Sequence, residues 1–180
     1  KGATGTAALE YAHDLTETKL RDLVTEYHRD AQKRKDDGTY ELARDIYKKY
    51  LDAFSDTESA YQMRFFYAEV LWALKEWGSA ATQYDSVARM KVDGKAKGQY
   101  TRIAAYNAIL SWEKIAMEGD KGKLDASMKV VETTKKGKTD AQRTTQLKLK
   151  TLEKGEKYVE ETIPEAELKL SQACDLYFEI

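Results

Sequence analysis

The chain has 180 residues, which is enough for one domain with a hydrophobic core of its own. Lys and Arg total 30 against 31 Asp and Glu, so the net charge of -1 provides no general attraction to nucleic acid or to anionic lipid. No apolar run approaches the roughly 18 residues that a membrane-spanning helix requires. The composition therefore argues against nucleic acid as a partner and predicts no transmembrane segment.

The two ends of the sequence lack the usual terminal signals. The first six residues, 1–6, contain neither an initiator Met nor an apolar signal core. At the other end, the apolar pattern of 176–180 stops without the Gly or polar residue expected at a helix terminus. We therefore expect the natural protein to extend beyond both ends. The single Cys174 forms no disulfide within the chain and does not indicate a compartment.

Helices are predicted along the whole chain. One proline and ten glycines leave few helix breakers, and the Ala, Glu, Lys and Leu content favours helix. After a flank at 1–17, we predict helices of about 15–20 residues that pair into hairpins. The first helices of successive hairpins are predicted at 18–35, 59–75 and 99–117. The turns between helices are predicted at 36–38, 55–57, 76–78, 93–94 and 118–120.

The second helices of two hairpins share a repeated motif. Tyr-Glu-Leu-Ala at 40–43, followed by Tyr47, recurs 37 residues later as Trp-Gly-Ser-Ala at 77–80, followed by Tyr84. The alanine that ends each motif lets the two helices of a hairpin approach closely. The tyrosine four residues later then fills the groove between hairpins.

This repeat resembles the tetratricopeptide repeat family, whose unit is about 34 residues long. The resemblance covers 18–117 and returns weakly at 165–180. The form at 40–56 is most similar to bacterial envelope members, among them outer-membrane-assembly lipoproteins, Tol-associated proteins and gliding-machinery proteins. It implies an all-α, right-handed solenoid of helical hairpins at 18–119, a scaffold that binds a peptide or partner protein in a concave groove. It also implies a periplasmic or envelope-associated location. Arg64 and Asn107 depart from the family pattern.

A polar segment at 120–160 interrupts the third hairpin, which lacks its second helix at the expected place. Between Lys121 and Lys157, eleven Lys and Arg stand against five Asp and Glu. We predict a basic helical insertion, either a solvated helix pair or a docking site for an acidic partner, an anionic head group or nucleic acid. At 161–180 the repeat helix is predicted to resume, because Pro164 suits a first turn. Ala173 and Tyr177 also repeat the four-residue spacing.

A partner-binding site is predicted on the inner faces of the first helices. In a stack of hairpins these helices line the concave side, and residues three and four apart form one face. Phe65, Glu69 and Trp72 have this spacing and offer two apolar anchors beside a carboxylate. The alternative is that neighbouring helices bury both aromatic residues in the core. The other predicted partner-binding residues are Gln62, His28, Gln32, Thr101 and Ser111.

No catalytic, cofactor-binding or metal-binding motif is visible, so we expect no enzyme activity, no cofactor and no small-molecule substrate. His13 and His28 lack helical partners of metal-ligand type. Cys174 has no adjacent His and is typical of a small buried residue. An alternative is that the chain is an accessory repeat arm of a larger enzyme whose catalytic part lies outside this sequence. A nucleic-acid-binding repeat would require basic residues on the inner faces.

Overall fold

The computed structural model describes the backbone of residues 2–91, 98–131 and 162–180, and the side chains of 5–91, 98–118 and 162–180. These residues form helices and contain no strand, which confirms the prediction of an all-helical fold for this part of the chain. None of the helices described is both long and apolar enough to cross a membrane. The helices are α1 (Gly2–Arg34), α2 (Asp37–Ala53), α3 (Ala60–Ala73), α4 (Trp77–Arg89), α5 (Thr101–Val131) and α6 (Glu165–Glu179).

Short, well-defined turns separate the first four helices. Asp36 caps the N-terminus of α2, where its carboxylate accepts from the Thr39 N–H at 2.9 Å and from the Thr39 hydroxyl at 2.6 Å. These hydrogen bonds lower the pKa of Asp36. Between α3 and α4, Lys75 adopts a left-handed φ of 62°. The Lys75 and Glu76 amides then donate to the Trp72 and Leu71 carbonyls, at 3.0 and 2.9 Å. This is the Schellman arrangement, which satisfies the last carbonyls of a helix.

Each helix packs against the next one along the chain, and the side-chain contacts show that neighbours are antiparallel. Between α3 and α4, Arg64 donates to the Gln83 side chain at 2.8 Å, and the Trp72 and Trp77 rings lie 4.6 Å apart. The later residue of α3 therefore meets the earlier residue of α4. The helices α1 to α4 consequently form two consecutive helical hairpins.

The helices α1, α3 and α5 run parallel to one another with a regular offset. The Arg21 guanidinium donates to the Ser59 hydroxyl, 38 residues later in the chain. Gln62 donates to the Tyr100 hydroxyl at 3.1 Å, again 38 residues later. The offset between contacting residues is thus the same from α1 to α3 as it is from α3 to the start of α5.

Two clusters of buried side chains form the core. The N-terminal cluster joins α1, α2 and α3 and contains Val24, Ala43, Tyr47, Tyr50, Leu51, Phe54, Met63 and Val70. The C-terminal cluster joins α3 to α6 and contains Tyr61, Phe65, Ala68, Leu71, Ala80, Tyr84, Val87, Ala88, Ala104, Ala105, Ala108, Ala173 and Leu176. Phe66 and Tyr67 pack against both clusters, so α3 connects them.

The alanines and the following tyrosines of the repeated motif lie inside these clusters. Ala43 and Ala80 are fully buried, and so are the tyrosines four residues further on, Tyr47 and Tyr84. Burial raises the pKa of both tyrosine hydroxyls. In α6, Ala173 is buried in the C-terminal cluster beside the half-exposed Cys174. The motif therefore occupies the same packing position in α2 and in α4.

Two segments were predicted to lie outside the hairpins, 1–17 and 120–160. In the structure each of them continues a helix over part of its length. Residues 2–17, predicted as a flank, continue α1 toward the N-terminus, and the side chains of 5–16 are exposed. Of the predicted insertion at 120–160, the first part to Val131 continues α5, and 132–161 lie outside the described residues. The last helix begins at Glu165, directly after Pro164.

Candidate functional site: a cavity between the first helices

A cavity of about 270 Å³ opens between the parallel helices α1, α3 and α5. Two tyrosines from the second helices α2 and α4 complete its wall. Its polar groups comprise one carboxylate, one imidazole, two amides and two phenols. The lining residues are His28, Gln32, Tyr40, Glu69, Trp72, Tyr84, Asn107 and Leu110.

Four of the eight predicted partner-binding residues line this cavity: His28, Gln32, Glu69 and Trp72. They come from α1 and α3, which the sequence analysis assigned to the inner side of the hairpin stack. The structure therefore brings residues about 40 positions apart in the chain to one site.

Glu69 carries the negative charge of the cavity. Its side chain is half-buried, and burial raises the pKa of its carboxyl group. Within the described part of the chain, this carboxylate has no hydrogen bond and no ion pair. Its charge adds to the effect of burial on Tyr84 and Tyr47, raising the pKa of both hydroxyls further. The cavity consequently contains a partly desolvated carboxylate that no residue described in the structure neutralises.

His28 is buried and uncharged. The Gln32 amide donates to Nε2 of His28 at 3.1 Å, and Nδ1 lies 3.1 Å from the Tyr47 hydroxyl. With Nε2 accepting, the ring proton is on Nδ1 and donates to Tyr47. Burial lowers the pKa of His28 to about 4, so the imidazole is neutral at pH 7. His28 therefore supplies no positive charge to Glu69.

Trp72 forms the aromatic wall on the α3 side. Its indole is half-buried and meets the Trp77 ring edge to face, with centroids 4.6 Å apart. From α5, the Asn107 amide partly offsets the rise in the pKa of the Tyr84 hydroxyl. The indole of Trp72 and the phenols of Tyr40 and Tyr84 thus surround a space that also contains the Glu69 carboxylate.

The other four predicted residues lie outside this cavity. Phe65 is 5% exposed and stacks on Tyr100 at 4.4 Å, within the C-terminal cluster. Thr101 and Ser111 are also buried; the Thr101 hydroxyl meets the Tyr61 hydroxyl at 3.2 Å, and the Ser111 hydroxyl donates to the Asn107 carbonyl at 2.7 Å.

Gln62 is exposed and lines a different cavity. This second cavity, of about 520 Å³, lies between α1 and α3 and contains both acidic and basic side chains, including Arg21, Glu26 and Arg29. Because it holds charges of both signs, it has no single electrostatic preference. The first cavity is more distinctive because its only formal charge at pH 7 is that of Glu69.

Four residues of the first cavity were not predicted as partner-binding: Tyr40, Tyr84, Asn107 and Leu110. The sequence did single out Asn107, because its polar amide departs from the pattern of the family that the sequence resembles. Tyr40 and Tyr84 belong to the repeated motif, which predicts packing and not exposure to a cavity. Leu110 lies one residue before Ser111, the position the sequence analysis selected.

His28 offers no free ring nitrogen to a molecule in the cavity. Both ring nitrogens of His28 are occupied by Gln32 and Tyr47, so the imidazole is not free to act as a base toward a bound molecule. Among the described residues, no group of three His, Cys, Asp or Glu side chains is placed to hold a metal ion. Comparisons of the chain with known protein families, with curated proteins and with solved structures found no match.

Proposed function

We propose that this chain is a protein-interaction scaffold of the tetratricopeptide repeat kind that binds a peptide or partner protein in the cavity between α1, α3 and α5. The observation that carries the proposal is the joint lining of one cavity by three parallel first helices, with Glu69 and Trp72 among the lining residues. A surface built from successive hairpins is how repeat proteins bind extended partners.

The regularity of the hairpins supports the repeat assignment. The offset of 38 residues between contacting first helices agrees with the 37-residue spacing of the motifs that contain Ala43 and Ala80. Both spacings are close to the tetratricopeptide unit of about 34 residues. The resemblance of 40–56 to envelope proteins extends the proposal to a role in a bacterial envelope assembly.

The size of the cavity is compatible with insertion of one side chain from a macromolecular partner. Its volume of about 270 Å³ is at the lower end of the range of about 300–1,000 Å³ that sites for small molecules and cofactors enclose. A space of this size accepts one side chain of a partner whose backbone lies across the groove.

The experiment is a selection of peptides from a randomised display library on the immobilised chain, followed by affinity measurements on variants. Trp72→Ala should weaken the selected peptides by about 2 kcal/mol, since tryptophans in binding pockets are typical hot spots. The control is Leu42→Ala, because Leu42 is 54% exposed on α2 and does not line the cavity. This control variant should bind as the unmodified chain does.

Thermal unfolding of the same variants separates binding from stability. If Trp72 serves the core instead, Trp72→Ala should destabilise the fold by about 3–5 kcal/mol. Selected peptides that bind equally well to the folded Trp72→Ala variant would refute the proposed groove.

A further inference from the structure

We propose that the cavity centred on Glu69 accepts a cationic side chain, lysine or arginine, from the bound partner. This inference rests on the proposed function and specifies which partner residue occupies the site. It follows from three properties of the cavity: its unbalanced charge, its aromatic walls and its size.

The charge of the cavity is negative and unbalanced. Glu69 is the only ionised side chain among the lining residues at pH 7, because burial keeps His28 neutral. No Lys or Arg lines the cavity. On the adjacent helix α2, the Arg44 guanidinium is already bonded to Glu76 at 2.7 Å and to Asp45 at 3.0 Å. None of the described Lys or Arg side chains pairs with Glu69, so its carboxylate is available to a cation that a bound partner supplies.

The same argument disfavours other occupants. An apolar side chain would remove the remaining water from Glu69 without offering a partner, and burial of an uncompensated carboxylate is costly. An anionic side chain or a terminal carboxylate would be repelled by Glu69. Only a cation converts the desolvation of this carboxylate into a favourable interaction on binding.

The aromatic walls suit a cation as well. Trp72, Tyr40 and Tyr84 line the cavity with Glu69, and the faces of indole and phenol rings attract ammonium and guanidinium groups. The side-chain oxygens of Gln32 and Asn107 provide acceptors for additional N–H groups. Carboxylate, aromatic faces and amide oxygens are together the complement of an ammonium or guanidinium group at the end of an aliphatic stem.

The test uses four host peptides that differ only at one central position, which is lysine, arginine, norleucine or glutamate between flanking sequences taken from a selected binder. Binding is measured by titration calorimetry and by the shift of the Trp72 indole resonance, assigned with Trp72→Phe. The lysine or arginine peptide should bind at least tenfold more tightly than the norleucine peptide. The glutamate peptide should bind most weakly.

Glu69→Gln retains the shape of the side chain and removes its charge. This variant should lose at least tenfold in affinity for the cationic peptides, while its affinity for the norleucine peptide should rise, because the apolar side chain no longer buries an uncompensated carboxylate. Because an unpaired charge has been removed from a desolvated position, its thermal stability at pH 7 should equal or exceed that of the unmodified chain. The matched control is Glu41→Gln on an exposed part of α2, which should leave the preference for cationic peptides unchanged.

The outcomes separate the two proposals. Peptides that depend on Trp72 but bind Glu69→Gln as well as the unmodified chain would overturn the cation site and leave the groove intact. Equal affinity for the lysine, arginine and norleucine peptides would do the same. Failure of all peptides to depend on Trp72 would overturn both the groove and the cation site.

Discussion

The two core clusters stabilise neighbouring parts of the same helical stack in different ways. In the N-terminal cluster, the hydroxyls of Tyr47 and Tyr50 reach across to His28 and Glu17 on α1, so large side chains are fixed by buried hydrogen bonds. In the C-terminal cluster, α5 contributes three buried alanines that belong to the same cluster as side chains of α4 and α6. The first region depends on protonation state and the second on side-chain volume.

The two copies of the repeated motif are stabilised in different ways. Tyr47 and Tyr84 follow equivalent alanines, yet the Tyr47 hydroxyl hydrogen-bonds to a buried imidazole, while Tyr84 lines the cavity together with Asn107. Both hairpins and α5 contribute side chains to the lining of the cavity. Variants that affect only one cluster test this difference.

The largest expected effect is an acid sensitivity of the N-terminal cluster. The pKa of His28 is lowered to about 4 in the folded chain from an ordinary value of 6.5, so the unfolded chain binds more protons between these values. The stabilisation by neutral His28 is complete above pH 6.5 and is lost as the pH falls toward 4. Between pH 7 and pH 4 this amounts to about 3 kcal/mol of unfolding free energy. Urea unfolding of the unmodified chain and of His28→Gln at both pH values measures it, and the variant should lack this part of the pH dependence.

Glu69 acts in the opposite direction in an overlapping range of pH. Burial raises the pKa of its carboxyl group, so the folded chain retains this proton to higher pH than the unfolded chain does. Once the pH is high enough for Glu69 to ionise in the folded chain, its buried charge lowers the free energy of unfolding. Glu69→Gln should therefore make the loss of stability on acidification steeper.

An unfolding free energy that varies equally with pH in the unmodified chain and in His28→Gln would contradict the role assigned to His28.

The second effect concerns volume in the C-terminal cluster. Ala80 is fully buried where α4 meets its neighbours, so Ala80→Leu should destabilise the fold by about 1–3 kcal/mol through overpacking. The matched control is Ala12→Leu, because Ala12 is an exposed alanine inside α1. The control should change the unfolding free energy by less than about 0.5 kcal/mol. An unchanged denaturant midpoint for Ala80→Leu would show that α4 is packed in a different register.

Much of the hairpin organisation was predictable because the sequence gives it more than one local signal. The turn at 36–38 contains an Asp cap, and the alanine and tyrosine of the motif have helical spacing that buries both. The N-terminal extension of α1 was missed because 5–16 expose their side chains, so helix propensity acts there without apolar periodicity. A helix that packs against others shows apolar periodicity in its sequence, whereas an exposed helix is indicated only by its helix-favouring composition.

The candidate site was less predictable because a shift of one residue along a helix moves a side chain from the face that lines the cavity to the face that packs in the core. Thr101 and Ser111 were selected for the inner face of α5, yet they are buried, and Asn107 and Leu110 line the cavity. Successive residues on a helix are rotated by about 100°, so the core face and the groove face are neighbours. Phe65 is buried because Tyr100, from the segment before α5, stacks on it. Such a contact depends on how the hairpins are arranged, which spacing within one helix does not specify.

The smallest expected effect is at the C-terminal ends of α1 and α3. Lys75 ends α3 with a φ of 62°, and Lys35 follows α1 with a φ of 53°. A β-carbon is strained in this left-handed conformation, which glycine adopts freely. Lys75→Gly and Lys35→Gly should therefore each stabilise the fold by about 0.5–1 kcal/mol, since the relief of strain exceeds the added chain entropy of the unfolded state. Lys75→Ala is the control, because it removes the ammonium group and keeps the β-carbon, and it should give no such gain. Denaturant unfolding at pH 7 measures all three variants, and a loss of stability in Lys75→Gly would show that α3 does not end in this turn.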